Sequence, residues 1–309
     1  MKIKFVLGLM VGLALIGAGC SKANTPASTS QNNPTNNEMM PAETVAAGHG
    51  GDHLAKLAGS RIDLENKSNL QPGEVTLKFK LYGLDGHEFG DKDLKVAHEK
   101  KMHFLMVRDD MTGFQHLHPE YTDGKWQVKT NVSEKGNYQL YVDIVPTEED
   151  AIVLRVPVSI GGDTANAKVP IPNTDLSAED NGYKAVLKSE GALKTKENVK
   201  LTFELTKNGK PVENIDPYLG AFGHVVLLRH TDADDFFHVH PLTESKPTDS
   251  KVQFEAQFPV KGRYTLYAQF NVDGSVKTFP ITVDVSEEGQ VAADTSGGHG
   301  EVTENGGGH

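Results

Sequence analysis

Two stretches of the chain repeat one pattern, and that repeat limits the available folds more than any other feature. Residues 98–119 (HEKKMHFLMVRDDMTGFQHLHP) and 224–241 (HVVLLRHTDADDFFHVHP) share an order of features. Each sets a histidine at the head of an apolar run, followed by an arginine, an acidic turn, an aromatic residue and His-x-His-Pro. Aligned, His103 matches His224, Arg108 matches Arg229, His116 matches His238, His118 matches His240 and Pro119 matches Pro241. A chain made of two copies of one supersecondary unit folds as two like units.

Around both copies the apolar residues fall in short alternating runs, the pattern of half-buried strands, and no long run keeps a helical period. In the first copy this predicts strands over Val75–Tyr82, Met102–Val107, Gln115–His118, Lys125–Val132, Tyr138–Val145 and Ile152–Ile160. In the second it predicts Tyr183–Lys188, Val199–Leu205, His224–His230, Phe236–His240, Val252–Phe258, Tyr264–Asn271 and Val276–Val285. Asp85-Gly86, Asp123-Gly124, Asn208-Gly209 and Asp273-Gly274 supply turns. About seven short strands per 100 residues indicate an all-β protein, two tandem immunoglobulin-like β-sandwich domains. Gly136-Asn137-Tyr138 and Gly262-Arg263-Tyr264 fit the tyrosine corner of such sandwiches.

The ends differ in composition. Lys2 and Lys4, the apolar run Phe5–Ile16 and the small residues before Cys20 have the layout of a secretory signal, with a run too short to span a bilayer comfortably. The stretch resembles a bacterial lipoprotein signal, in which Cys20 becomes the lipidated first residue, although Gly17 stands where such signals usually carry Leu. Cys20 is the sole cysteine, so stability rests on core burial without disulfides. The expected division is residues 1–20 lipoprotein signal peptide, 21–58 flexible tether, 59–162 first sandwich, 163–180 linker, 181–287 second sandwich and 288–309 flexible tail. The tether and tail are too poor in apolar residues to offset ordering entropy, which predicts disorder in both. Their His49, His53, His299 and His309 are candidates for weak metal collection.

A formal charge of −11, two units more negative once Lys2 and Lys4 are removed, and the lack of a basic run argue against a nucleic-acid partner. The expected partners are instead the membrane, through the lipid anchor, and a metal-handling or envelope protein. The expected location is the extracytoplasmic face, periplasmic or extracellular.

The histidines carry the chemistry. On a strand, residues i and i+2 project to one face about 6.5 Å apart, so His116 with His118, and His238 with His240, converge. His103 and His224 would supply a third imidazole, giving one three-histidine site per repeat, and His98, replaced by Leu219 in the second copy, would be a fourth ligand in the first. Shared ligands of one ion, bonded at about 2.1 Å, bring their ring nitrogens within about 4 Å of one another. Neutral imidazole suits Cu(II), Zn(II) and Ni(II), with affinity highest for copper. Met102, Met106 and Met111 lie near the first set, which would favour Cu(I) there, although Met106 sits in an apolar run that reads as core. Arg108 and Arg229 are expected to pair with Asp109, Asp110, Asp232 or Asp234.

Enzyme motifs are missing. His98-Glu99-Lys100-Lys101-Met102-His103 is one residue longer than the HExxH of zinc proteases, and on a helix its histidines would lie about 140° apart. No GxSxG, phosphate-cradling glycine loop or cysteine nucleophile occurs. A non-enzymatic role is therefore expected.

The stretch AHEKKMHFLMVRDDMTGFQHLHPE, followed by GNYQLYVDIVP, resembles secreted bacterial proteins and lipoproteins of the YtkA-like type, with a distant analogy to CopC-like copper-binding sandwiches. That resemblance implies immunoglobulin-like domains and an envelope location, and marks His98, His103, His116 and His118 as motif histidines. Together these readings describe a membrane-anchored lipoprotein that binds copper first and zinc second, for buffering, delivery or resistance. The alternative is an envelope interaction module whose histidines are structural.

Overall fold

The computed structural model describes residues 60–65, 67–162, 170–230 and 236–287, without the side chains of His238 and His240. The leader with Cys20, the tether, the tail and His49, His53, His299 and His309 lie outside the described residues, as do Asp232 and Asp234.

The first repeat contributes β1 (Arg61–Leu64), β2 (Gly73–Tyr82), β3 (Met102–Arg108), β4 (Gln115–Leu117), β5 (Glu120–Thr122), β6 (Lys125–Val132), β7 (Gly136–Ile144) and β8 (Ile152–Ile160). They form two four-stranded antiparallel sheets, β1-β2-β6-β5 and β4-β3-β7-β8. Labelled A to G with C′ after C, these orders are A-B-E-D and C′-C-F-G, the immunoglobulin-like arrangement.

The second repeat adds β9 (Ser177–Asp180), β10 (Tyr183–Ser189), β11 (Asn198–Lys207), β12 (Lys210–Pro211), β13 (Ile215–Asp216), β14 (His224–Arg229), β15 (Phe236–Pro241), β16 (Lys251–Gln257), β17 (Gly262–Val272) and β18 (Ser275–Val285). Its orders β10-β11-β16 and β15-β14-β17-β18 repeat A-B-E and C′-C-F-G, with β9, β12 and β13 added beside β10, β11 and β17. β15 pairs both with β14 through Val239–Phe236 and with β16 through His240 and Pro241, joining the two sheets. Ser177–Asp180, expected as linker, is a strand because it adds to the free edge of β10.

Local chemistry explains the turns. Asp123-Gly124 closes β5–β6 and Asp273-Gly274 closes β17–β18, with φ of 54° and 74°, and 49° and 74°. Two central residues at positive φ match the twist of a hairpin, and Asx-Gly adopts them most readily. Both tyrosine corners form: the Tyr138 hydroxyl donates to the Glu134 carbonyl and the Tyr264 hydroxyl to the Val260 carbonyl, each at 2.8 Å.

Each sandwich has its own core, around Phe79, Phe104, Trp126 and Tyr138 in the first and Phe203, Phe254, Phe270 and Phe279 in the second. A third apolar cluster joins them: Leu105, Val107 and Tyr141 meet Val226, Leu228 and Tyr267. Strand alternation explains how β3 serves two clusters, since Met102, Phe104 and Met106 face its own core while Leu105 and Val107 face the other repeat. The contact is nearly symmetric. Phe114 stacks on Tyr267 at 3.9 Å between ring centroids, and the repeat-equivalent pair, Phe236 and Tyr141, stacks at 5.7 Å.

Candidate metal centre

His103 lies two residues before Leu105 on β3, and so shares the face that turns toward the second repeat. It is 3% exposed. His116 stands opposite Leu105 in the β3–β4 register, and His118 follows it on the same face. Ring nitrogens of His103, His116 and His118 all lie within 4.8 Å of one another. His103 and His116, 3.0 Å apart, meet the spacing expected of ligands to one ion, and His118 completes the group within 4.8 Å.

The outer nitrogens of two rings are fixed by acceptors. Nε2 of His103 donates to the Ala97 carbonyl at 3.1 Å, and Nδ1 of His116 donates to Oε1 of Gln269 at 2.7 Å. The Gln269 amide is itself set by donating to Thr278 Oγ1 at 3.1 Å. Because a neutral imidazole carries one N–H, both inner nitrogens are then lone-pair acceptors. These two nitrogens, His103 Nδ1 and His116 Nε2, face each other at 3.0 Å. Two lone pairs at that distance repel unless a cation or a proton sits between them. Outer-nitrogen hydrogen bonds of this kind are how metal-binding imidazoles are usually oriented. Burial pushes the pKa of His118 down to about 4, with nearby Lys100 adding to the shift, so this ring stays neutral. Its Nε2 is buried and has no hydrogen-bond partner among the described residues.

His98 reaches the cluster by a turn. Ala97 and Lys100 pair across His98 and Glu99, whose φ values are 46° and 63°. The equivalent turn of the second repeat places Leu219 and Gly220 at 55° and 80°, between the paired Tyr218 and Ala221. Where the second repeat has glycine, the first therefore holds Glu99 in a conformation costly for a side chain. The result sets the exposed His98 ring 5.9 Å from that of His103. The turn also explains why the protease-like spacing has no bearing on this site: the two histidines share neither a helix nor a strand.

His224, expected to lead a second cluster with His238 and His240, lies beside the first; the side chains of those two partners are outside the described residues. Its ring packs against those of the first repeat, 4.9 Å from His116 and 5.9 Å from His103. The cause is the packing of β3 against β14 through Leu105, Val107, Val226 and Leu228, which brings His103, second on β3, beside His224, first on β14. His238 stands opposite Val226 and His240 opposite Glu255 in the backbone register of β15.

The methionines do not join the histidines. Met102 and Met106 are buried on the opposite face of β3, in the first core, and Met111 packs against the cluster between the repeats. The thioether argument for Cu(I) therefore falls, while the reading of Met106 as core holds. Arg108 pairs with Asp110 at 2.6 Å and with Glu134, and its stem covers Gly136, where a Cβ would meet Arg108 Cδ at 2.7 Å. Arg229 covers Gly262 in the same way. Both arginines thus brace the start of the tyrosine-corner strand.

Gln269 and Tyr218 are the site residues that sequence reasoning passed over. The Tyr218 ring lies 6.4 Å from both His116 and His224, and burial pushes its hydroxyl pKa up to about 12. A signal for Gln269 existed in the repeat alignment, which sets it against Asp143. Both are polar positions that stand opposite His224 and His103 respectively.

Fold and site together define a tandem immunoglobulin-like sandwich protein with an imidazole cluster at the junction of its repeats. The family model of DUF8832, a domain of unknown function, matches residues 55–160 and again 177–287, and the chain belongs to this family. No YtkA-like or CopC-like match accompanies it. Comparison with curated proteins gives no match. Among solved structures, the chain is similar to fibronectin(III)-like modules of CbhA from Clostridium thermocellum, with 11% identity over 78% of this chain and 100% of that one, at a TM-score of 0.19. A set of titin domains matches with 13% identity over 74% of this chain and 66% of that one, at 0.21. Scores this low add nothing to the fold, which rests on the strand orders. No helix among the described residues is long and apolar enough to cross a membrane.

Proposed function

We propose that this protein is an extracytoplasmic, lipid-anchored metal-binding protein in which His103, His116 and His118 hold a transition-metal ion, copper first and zinc second. The observation that carries the reading is the pair of inner lone pairs, His103 Nδ1 and His116 Nε2, held 3.0 Å apart by fixed outer hydrogen bonds. Imidazoles bound to one ion at about 2.1 Å place their ring centroids about 4.6 to 6.5 Å apart, depending on the angle at the metal. The three pairs measure 5.2, 5.3 and 4.9 Å. Nitrogens 3.0 Å apart subtend about 90° at such an ion, an angle that suits tetragonal Cu(II) better than tetrahedral Zn(II). The site is built from imidazoles on and beside the paired strands β3 and β4, which fits buffering, delivery or resistance at the envelope rather than turnover.

In the second reading the protein is an interaction module and the histidines merely brace the interface; the His116–Gln269 hydrogen bond favours it. Calorimetric titration of the full chain in detergent with Cu(II), Cu(I) and Zn(II) separates the two. The metal reading expects one tight site that disappears in His116→Ala/His118→Ala, leaving any weak binding by the tail histidines. Unchanged stoichiometry and affinity in that variant would leave the interaction reading standing.

A further inference from the structure

Resting on that reading, we infer that the metal site is shared between the two repeats. His224 of the second sandwich supplies a ligand to the ion held by His103, His116 and His118 of the first, so that metal occupancy and docking of the two sandwiches are linked. The placement is specific. β14 presents Val226 and Leu228 to the first repeat, and His224, two residues earlier on the same face, is carried into the cluster. It is 7% exposed, and its ring is nearly parallel to that of His103, at 15°. Its centroid separations of 4.9 Å from His116 and 5.9 Å from His103 fall inside the range that a common ion requires, while its ring nitrogens stand outside the group that lies within 4.8 Å, so joining the ion calls for a turn of its ring. The second repeat contributes twice, since Gln269, opposite His224 on β17, is also the residue that orients His116.

Linkage then works in both directions. An ion ligated by both repeats stabilises the docked pair in proportion to the affinity that docking adds, because it binds the docked state better than the undocked one. The two ring stacks and the Leu105, Val107, Val226 and Leu228 contact hold the ligands in place before the ion arrives.

The test uses the full chain loaded with one equivalent of Cu(II), and separately Zn(II). Pulsed EPR counts the imidazoles on copper, X-ray absorption counts them on zinc, and calorimetry gives affinity. His224→Asn keeps a polar group and His224→Phe keeps the ring, so that failure of one variant to fold leaves the other. The expected result is an imidazole count one lower than in the parent chain, an affinity lower by at least about tenfold, and a smaller metal-induced rise in Tm. An unchanged count and affinity in a folded variant would overturn the shared site while leaving the three-histidine reading intact. A parent chain that binds neither ion overturns both.

Discussion

Nδ1 of His116 in the first repeat donates a 2.7 Å hydrogen bond to Oε1 of Gln269 in the second. This contact joins residues 153 positions apart and decides which nitrogen of His116 turns toward His103. Gln269→Leu releases that choice while leaving the imidazole present. Metal affinity should fall about 10- to 100-fold by calorimetry, as it does when outer-shell partners are removed elsewhere, with the circular dichroism spectrum unchanged.

The turn at His98 and Glu99 stores strain beside the site. With Glu99 at φ 63°, Glu99→Gly should relieve about 1 kcal/mol and raise Tm in the metal-free protein. Gly220→Ala, at φ 80° in the equivalent turn, should lower it by a similar amount.

The tyrosine corners hold each late strand to the loop before it. Tyr138→Phe and Tyr264→Phe each remove a 2.8 Å hydrogen bond to a backbone carbonyl, and each should cost about 0.5–1.5 kcal/mol in urea denaturation. Since the two corners lie in separate sandwiches, their costs should add in the double variant.

Leu105 lies in the cluster between the repeats rather than in either core. Leu105→Ala should cost about 2–5 kcal/mol, as for a core residue, and should also weaken metal binding if the docked state carries the site. A variant that loses stability with metal affinity intact would argue that the two are independent.

His230 should make the fold acid-sensitive. Burial pushes its pKa down to about 4, with Arg263 adding to the shift and Asp284 opposing it, and its Nε2 meets Thr265 Oγ1 at 2.8 Å. The unfolded chain protonates it near 6.5 whereas the fold resists, so its stability contribution is full above that pH and is lost as pH falls toward 4. Partial exposure limits the effect to on the order of 1 kcal/mol. Comparing Tm at pH 7 and pH 4.5, the drop should be smaller for His230→Gln than for the parent chain.

The architecture was legible because its determinants are local. Alternation placed the long strands, Asx-Gly pairs marked their turns, and Gly-x-Tyr found both corners. Short strands were less visible: β1 and β9 are four residues each and gain their pairing only from a neighbouring edge. At the site, spacing alone brought His116 and His118 to one face.

What the sequence by itself determined is therefore the repeat, the sandwich class and the candidate ligands, since all three follow from residue type and period along one segment. Tertiary structure alone decided that β3 and β14 pack face to face. That packing brings His224 beside the first cluster, puts Gln269 behind His116, and leaves Met102 and Met106 in the core on the far side of the strand. Such choices depend on which faces two sheets bury against each other, and a strand's pattern tells that a face is buried without naming what covers it.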